Sequence, residues 1–158
     1  MSRLRPLYLR WTRLLDGLQP LLLLALRLYW GYQFAVTGWG KLTNIERVTG
    51  YFDSLGIPFP ELNVYLAAGT EFLGGIALFL GLGGRIATVP LVFTMIVAYG
   101  TADRDATAQI FSNPDAFVSA APFQFLLASL IVLLYGAGPL SLDHLIARRF
   151  APAKRPRS

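Results

Sequence analysis

Residues 21–41 read LLLLALRLYWGYQFAVTGWGK, and this stretch decides the fold. It begins as a leucine run typical of a helix in lipid, and at ~1.5 Å per residue Leu21 to Trp39 can cross a hydrocarbon core of about 30 Å. Arg27 lies inside the run, and on insertion scales an arginine at this depth costs roughly 2.5–3.5 kcal/mol. The stretch therefore predicts a membrane helix with a charged side chain that needs a polar partner.

The composition of the whole chain also predicts an integral membrane protein. Of the 158 residues, 54% are hydrophobic and 15% are charged, and the mean hydropathy is +0.51. The basic residues flank apolar stretches, so we do not interpret the net charge of +5 as a nucleic-acid surface. The chain has no cysteine, and His144 is its single histidine. We therefore expect no thiol–disulfide chemistry, no bis-histidine haem and no metal site.

The segment 1–19 has the pattern of a basic amphipathic helix that lies in the head-group plane of an anionic leaflet. Its basic residues are Arg3, Arg5, Arg10 and Arg13, and its apolar face carries Leu7, Trp11, Leu14, Leu15 and Leu18. We expect Pro20 to separate this helix from the first membrane span. A cleaved signal peptide is the competing interpretation, but the basic region is long and no small-x-small cleavage site follows the apolar run.

Three further apolar stretches predict three more membrane helices. They are residues 63–82, 86–102 and about 117–137. A very short turn at 83–85 makes the first two of them antiparallel neighbours. The sequence thus predicts an all-α integral membrane four-helix bundle over residues 20–139, with an N-terminal interfacial helix.

The remaining segments are expected to lie outside the bilayer. Residues 42–62 and 103–115 are predicted as polar connections, and Pro58 and Pro60 exclude a regular helix at the end of the first one. Residues 140–158 are predicted as a short cytoplasmic helix, with Ser141 as its N-cap, followed by a basic disordered tail.

The distribution of basic residues predicts the orientation. Ten of the 14 Lys and Arg residues lie with the two termini and the 83–85 turn, three lie on the opposite side, and Arg27 is within a span. Since cytoplasmic loops carry the excess of Lys and Arg, we expect both termini in the cytoplasm of a bacterial-type inner membrane.

Five polar side chains are candidates for a ligand or proton site. From their depths along the first two spans, Arg27 and Glu71 are expected to approach each other. Such a pair is either a structural lock between helices or a functional site, and both roles can hold at once. Gln33 and Thr37 lie on an adjoining helical face. Lys41 is an outer-interface anchor that can also donate to a bound head group.

A second set of residues is expected to be structural. Gly38, Gly74 and Gly75 let helix backbones approach closely. Arg85 is interpreted as a cytoplasmic positive charge at the tight turn, and Asp143 as a residue at the start of the C-terminal helix.

The order and spacing of these residues resemble the DoxX family of small four-helix membrane proteins. The motifs are Arg27-Leu28, Gly38-x-x-Lys41-Leu42, Gly56-Ile-Pro-x-Pro60, Glu71-x-x-Gly74-Gly75, Gly81-x-x-x-Arg85 and Gly136-x-Gly138-Pro139-x-Ser141-Leu142-Asp143. The resemblance covers Leu26 to Asp143. The motif residues that it carries over are Arg27, Lys41, Glu71, Arg85 and Asp143.

The resemblance implies a role beside redox enzymes. Relatives include a membrane subunit of thiosulfate:quinone oxidoreductase and a mycobacterial membrane partner of superoxide dismutase and a sulfurtransferase. The leading interpretation is an integral membrane subunit that links a partner oxidoreductase to the quinone pool. The alternatives are a non-catalytic scaffold that docks proteins through its basic cytoplasmic ends, and a small-solute carrier that would need to oligomerise. Whether the chain forms homo-oligomers is left open.

Overall fold

The computed structural model describes residues 4–150, and every regular element in that range is a helix. In chain order the helices are α1 (Leu4–Leu42), α2 (Ile45–Ser54), α3 (Pro60–Leu80), α4 (Gly84–Thr101), α5 (Arg104–Ala108), α6 (Pro114–Ser119), α7 (Pro122–Tyr135) and α8 (Leu142–Phe150). The predicted all-α class is confirmed for these residues. Arg3 and the predicted disordered tail from residue 151 lie outside the described range.

Two helices, α3 and α4, are long and apolar enough to cross a membrane within the described part of the chain. They correspond to the spans predicted at 63–82 and 86–102. Residues 81–83 connect them, and Gly81 and Gly83 both have left-handed backbone conformations, with φ of 67° and 58°. Only glycine adopts such angles without steric cost, which makes this tight turn possible. As predicted, α3 and α4 are packed neighbours.

The first helix corrects the predicted break at Pro20. α1 runs without interruption from Leu4 to Leu42, with Pro20 inside it. A proline inside a helix removes one backbone hydrogen bond, and the leucine-rich sequence on both sides favours the helix strongly enough to continue through that loss. At ~1.5 Å per residue, its 39 residues span roughly 58 Å, about twice the thickness of a hydrocarbon core.

The first polar connection is also more ordered than predicted, because it contains α2. The apolar residues Ile45, Val48 and Phe52 recur at i, i+3 and i+7, are half-buried, and let α2 pack on α3. The expected interruption at the two prolines is present, since α2 ends before Pro58 and α3 begins at Pro60. Proline fits the first position of a helix, where its missing N–H costs nothing.

The predicted fourth span is wrong as a single helix. α6 ends at Ser119, Ala120 is extended (φ −62°, ψ 141°), and α7 begins at Pro122. Pro122 lacks the N–H needed to continue α6 and instead occupies the favourable first turn of a new helix. The 14 residues of α7 span about 21 Å. The second polar connection likewise contains α5 and the start of α6.

The exterior of the bundle carries many large apolar side chains. The core consists of Phe34, Leu78, Leu91, Met95 and Val132. Large apolar side chains are nevertheless exposed along the membrane-length helices; on α3 and α4 they include Leu66, Leu73, Ile76, Ile86, Phe93 and Ile96. A surface of this kind is unfavourable in water and suits contact with lipid tails.

Glycines allow α1 and α3 to pack with their backbones in contact. A Cβ at Gly31 would lie 2.6 Å from the backbone nitrogen of Phe79, and one at Gly75 would lie 2.5 Å from that of Ala35. Gly38 packs in the same way against the backbone of Phe72. Small residues at such contacts are what drive helix association in lipid, where the hydrophobic effect is absent.

We predict that Gly75→Ala lowers the free energy of unfolding by about 1–3 kcal/mol, the usual cost of overpacking a close contact. Reversible unfolding in mixed micelles measures it. Gly69→Ala is the matched control on the same helix, because an added Cβ there has no neighbour within 4 Å. The control should be neutral or slightly stabilising, since alanine favours a helix over glycine. Equal effects of the two substitutions would contradict the backbone contact.

Candidate functional site

A buried ion pair joins α1 to α3. Lys41, at the end of α1, donates to Oε1 of Glu71, in the middle of α3, with 2.5 Å between Lys41 Nζ and the oxygen. The Glu71 side chain is 2% exposed and that of Lys41 is 31% exposed. The packing of Gly38 against Phe72, one turn before Lys41 and one residue after Glu71, brings the two charges together.

The ion pair leaves part of each charged group available. Glu71 Oε2 is buried and has no hydrogen-bond partner among residues 4–150. The Lys41 ammonium has three donors, and one of them is used in the pair. A buried carboxylate oxygen without a donor is costly, so this atom requires an explanation such as a ligand or a water molecule.

Glu71 and Lys41 lie at the base of a groove between α2, α3 and α4, which we call the outer groove. Its volume is about 510 Å³, within the range of roughly 300–1,000 Å³ that is typical of small-molecule sites. Its aromatic walls are Tyr51, Phe52 and Phe93, and its other polar lining residues are Arg47, Asn63, Thr70, Thr94 and Thr101. The outer groove therefore combines an apolar interior with a few convergent polar groups.

The predicted contact between Arg27 and Glu71 is wrong. Arg27 Nη1 donates to the carbonyl oxygen of Ala137, and Arg27 Nη2 donates to that of Leu140 at 2.8 Å. Along α1, Arg27 lies 14 residues before Lys41, or about 21 Å by helical rise. Main-chain carbonyls of the segment after α7 accept from the terminal nitrogens of Arg27 in place of the expected side-chain partner.

Arg27 is instead part of a structural unit at the opposite end of the bundle, which we call the clasp. Besides Arg27 it contains Gly81, Ser141 and Asp143. The backbone N–H groups of residues 83 and 84 donate to the two carboxylate oxygens of Asp143 at 2.7 and 2.9 Å, and Asp143 N donates to Gly81 O at 3.0 Å. The clasp fixes the start of α8 against the α3–α4 turn.

Ser141 has the capping role predicted for it. Its Oγ accepts a hydrogen bond from His144 N at 3.2 Å, which satisfies one free donor in the first turn of α8. Asp143 does more than the predicted helix-start role, because it also satisfies the first N–H groups of α4 and places a negative charge at that helix N-terminus.

The other predicted residues lie outside the outer groove. Thr37 is exposed and its hydroxyl donates to the carbonyls of Gln33 and Phe34 at 3.0 Å, while Gln33 is half-buried. Arg85 is exposed and donates to Leu134 O at 3.1 Å. Gly74 packs against the side chain of Leu91 on α4. Of the five site candidates, the structure thus brings together Lys41 and Glu71.

Sequence reasoning missed the contribution of α2 to the site. Arg47, Tyr51 and Phe52 line the outer groove from this helix, in a stretch interpreted as a polar connection. The helical recurrence of its apolar residues was the signal that could have found them. Among the described residues, no group of His, Asp or Glu side chains has the arrangement of a metal site.

These features define a class of protein: a small helical membrane protein with a buried ion pair under a groove between its helices. More narrowly, the chain belongs to the DoxX family, whose model matches residues 22–104. That range contains Arg27, the ion pair and the whole outer groove, but not the closing motif around Asp143.

A relative of the chain carries an oxidoreductase name. The chain is 33% identical over 122 residues to a protein of Bacillus subtilis (strain 168) named "Putative oxidoreductase CatD". The match covers 76% of this chain and 83% of the relative. No solved structure matches the chain.

A double-mutant cycle tests which charges interact. We predict that Lys41→Met and Glu71→Gln couple by about 0.5–2 kcal/mol in the free energy of unfolding, as polar pairs within membranes do. Arg27→Lys combined with Glu71→Gln should be additive to within about 0.5 kcal/mol, because these residues share no partner. Unfolding in mixed micelles measures both cycles. A larger coupling in the second cycle than in the first would contradict the observed pairing.

Proposed function

We propose that this DoxX-family protein is an integral membrane subunit of a redox complex and that it links a partner oxidoreductase to the quinone pool through the outer groove. The observation that carries the proposal is the buried, unpartnered Oε2 of Glu71 at the base of this groove, beside Lys41. The oxidoreductase name of the Bacillus subtilis relative supports the redox assignment at the level of the family.

The ion pair has the donor and acceptor that an oxygen on a quinone ring requires. When the ring oxygen is a carbonyl, a free N–H of Lys41 can donate to it. When it is a hydroxyl, Glu71 Oε2 can accept its hydrogen. Reduction of a quinone consumes electrons and protons together, and Glu71 is placed to hold or release the proton at that oxygen.

The walls of the outer groove fit the rest of such a ligand. Tyr51, Phe52 and Phe93 provide aromatic surfaces for a flat ring. Phe93 and Val97 are also exposed on the outside of α4, so the apolar lining continues to the lipid-facing surface. A lipid-soluble ligand could therefore keep its tail among lipid chains while its ring lies beside Glu71.

The chain itself positions the ring and exchanges protons. Lysine and glutamate side chains do not carry electrons, so a partner oxidoreductase must supply or accept them. For this reason we propose a subunit role and not an independent enzyme.

The second candidate, a scaffold that docks partner proteins, is favoured by the N-terminal half of α1. Leu7, Trp11, Leu14 and Leu18 are all exposed and recur at i, i+4, i+7 and i+11 along one face. The predicted interfacial location would require α1 to turn into the membrane plane at Pro20, where the helix is continuous. An exposed apolar stripe beyond the bilayer is typical of a protein-docking surface.

Quinone binding distinguishes the two candidates. We predict that the full chain in nanodiscs binds a soluble short-tail quinone. Glu71→Gln should weaken this binding on the order of tenfold or more, because it removes one hydrogen bond to a charged group. Equilibrium dialysis measures the dissociation constant. Thr37→Val is the matched control, because Thr37 is another polar residue predicted for the site but lies outside the groove lining. Equal affinity in the parent and Glu71→Gln would overturn the quinone proposal.

We further propose that the bundle crosses a bacterial inner membrane four times, through the apolar part of α1, then α3, α4 and the α6–α7 region. The excess of basic residues beside the termini supports this orientation. We predict that reporters fused before Met1 and after Ser158 are both cytoplasmic, and that one inserted near Asn113 is external. An external C-terminus would contradict the four-span topology.

A further inference from the structure

The C-terminal helix α8 has no function in the proposals above, yet the clasp holds it in a defined place. Asp143 binds the first N–H groups of α4, and Arg27 binds the carbonyls just before α8. α4 is 18 residues long, or about 27 Å, so the membrane crossing proposed above puts its first residue, Gly84, at the level of the membrane surface. The start of α8 is therefore fixed at that level.

The clasp also determines which face of α8 turns toward the membrane. Asp143 binds backbone N–H groups at the start of α4, and Ile146 and Phe150 share its face at i+3 and i+7. Both are exposed, Ile146 by 45% and Phe150 by 79%. His144 and Arg148 lie on the opposite side of the helix. An apolar face that continues from the ends of the membrane helices and that no residue in the range 4–150 covers would meet lipid.

Basic residues lie at the end of α8 and beside its start. Arg148 and Arg149 are in the last turn of α8, and Arg85 lies at the adjacent start of α4. All three are exposed. Arginines at this level match the phosphate groups of anionic lipids, which attract basic side chains near the membrane surface.

We propose that α8 is an interfacial helix that the clasp lays on the leaflet next to the α3–α4 turn. Ile146 and Phe150 insert below the head groups, and Arg149, on the flank of that face, binds anionic phospholipid. In this assignment Arg27, Ser141 and Asp143, which lie far from the outer groove, all serve to position α8. It does not depend on the proposed redox function.

Site-directed spin labels test the proposal directly, because the chain has no native cysteine. The full-length variants Ile146→Cys and His144→Cys are labelled and placed in nanodiscs of equimolar phosphatidylglycerol and phosphatidylcholine. Collision with oxygen and with a water-soluble nickel chelate then gives the depth of each label. We expect the label at residue 146 to lie about 5–10 Å below the head-group boundary and the label at residue 144 to remain in water.

Equal access of the chelate to both labels, or a deeper label at residue 144, would overturn the interfacial location. Both positions are exposed, so neither label displaces a packed side chain. Circular dichroism of each labelled variant verifies that the helices are retained.

The contribution of anionic lipid is tested separately in the Ile146→Cys background. Arg149→Gln should reduce the ratio of immersed to water-exposed label on the order of fivefold, because a basic side chain near an anionic surface contributes about 1 kcal/mol. The same substitution should have no effect in pure phosphatidylcholine. Equal effects in both membranes would overturn the role assigned to anionic head groups.

Discussion

A carboxylate that is 2% exposed among apolar helices needs a positive partner, and Lys41 meets that need for Glu71. Removing a charge from water costs several kcal/mol, and a nearby opposite charge offsets this cost only when the geometry is close. The geometry here comes from the glycines that let α1 and α3 touch along their backbones. The ion pair thus depends on the helix contact, and the outer groove, which lies above Glu71, depends on both.

The buried charges at the two ends of the bundle have different kinds of partner. At one end, Lys41 neutralises Glu71 but leaves Oε2 free, which is an arrangement suited to a ligand. At the other end, main-chain carbonyls accept hydrogen bonds from the two terminal nitrogens of Arg27, whose Nε is buried without a partner among residues 4–150. Backbone N–H groups donate to Asp143. Because the clasp joins the start of α8 to the α3–α4 turn, we assign it a structural role. The sequence predicts one polar site for Arg27 and Glu71. In the structure, Glu71 belongs to the candidate binding site and Arg27 to the clasp.

The sequence predicts the apolar membrane-length helices well, and the partners of individual polar side chains poorly. Hydropathy located α3 and α4 to within three residues, because a membrane-length apolar run has few alternatives. Lys41 and Glu71 were recognised as candidates from their charge, but their pairing was not. The partner of Arg27 was missed because main-chain carbonyls exist at every residue and leave no sequence signal. α2 was missed because its polar face masks a short amphipathic helix, and the groove that it walls was missed with it.

The central claim is that Glu71 meets a quinone in the outer groove, and infrared difference spectroscopy with glutamate-specific ¹³C labelling tests it most directly. The account predicts that adding a quinone to the full chain in nanodiscs changes the glutamate carboxyl bands. The change should vanish in Glu71→Gln and persist in Glu61→Gln, whose side chain is exposed and does not line the groove. A spectrum that quinone leaves unchanged, or a change that survives in Glu71→Gln, would contradict the account.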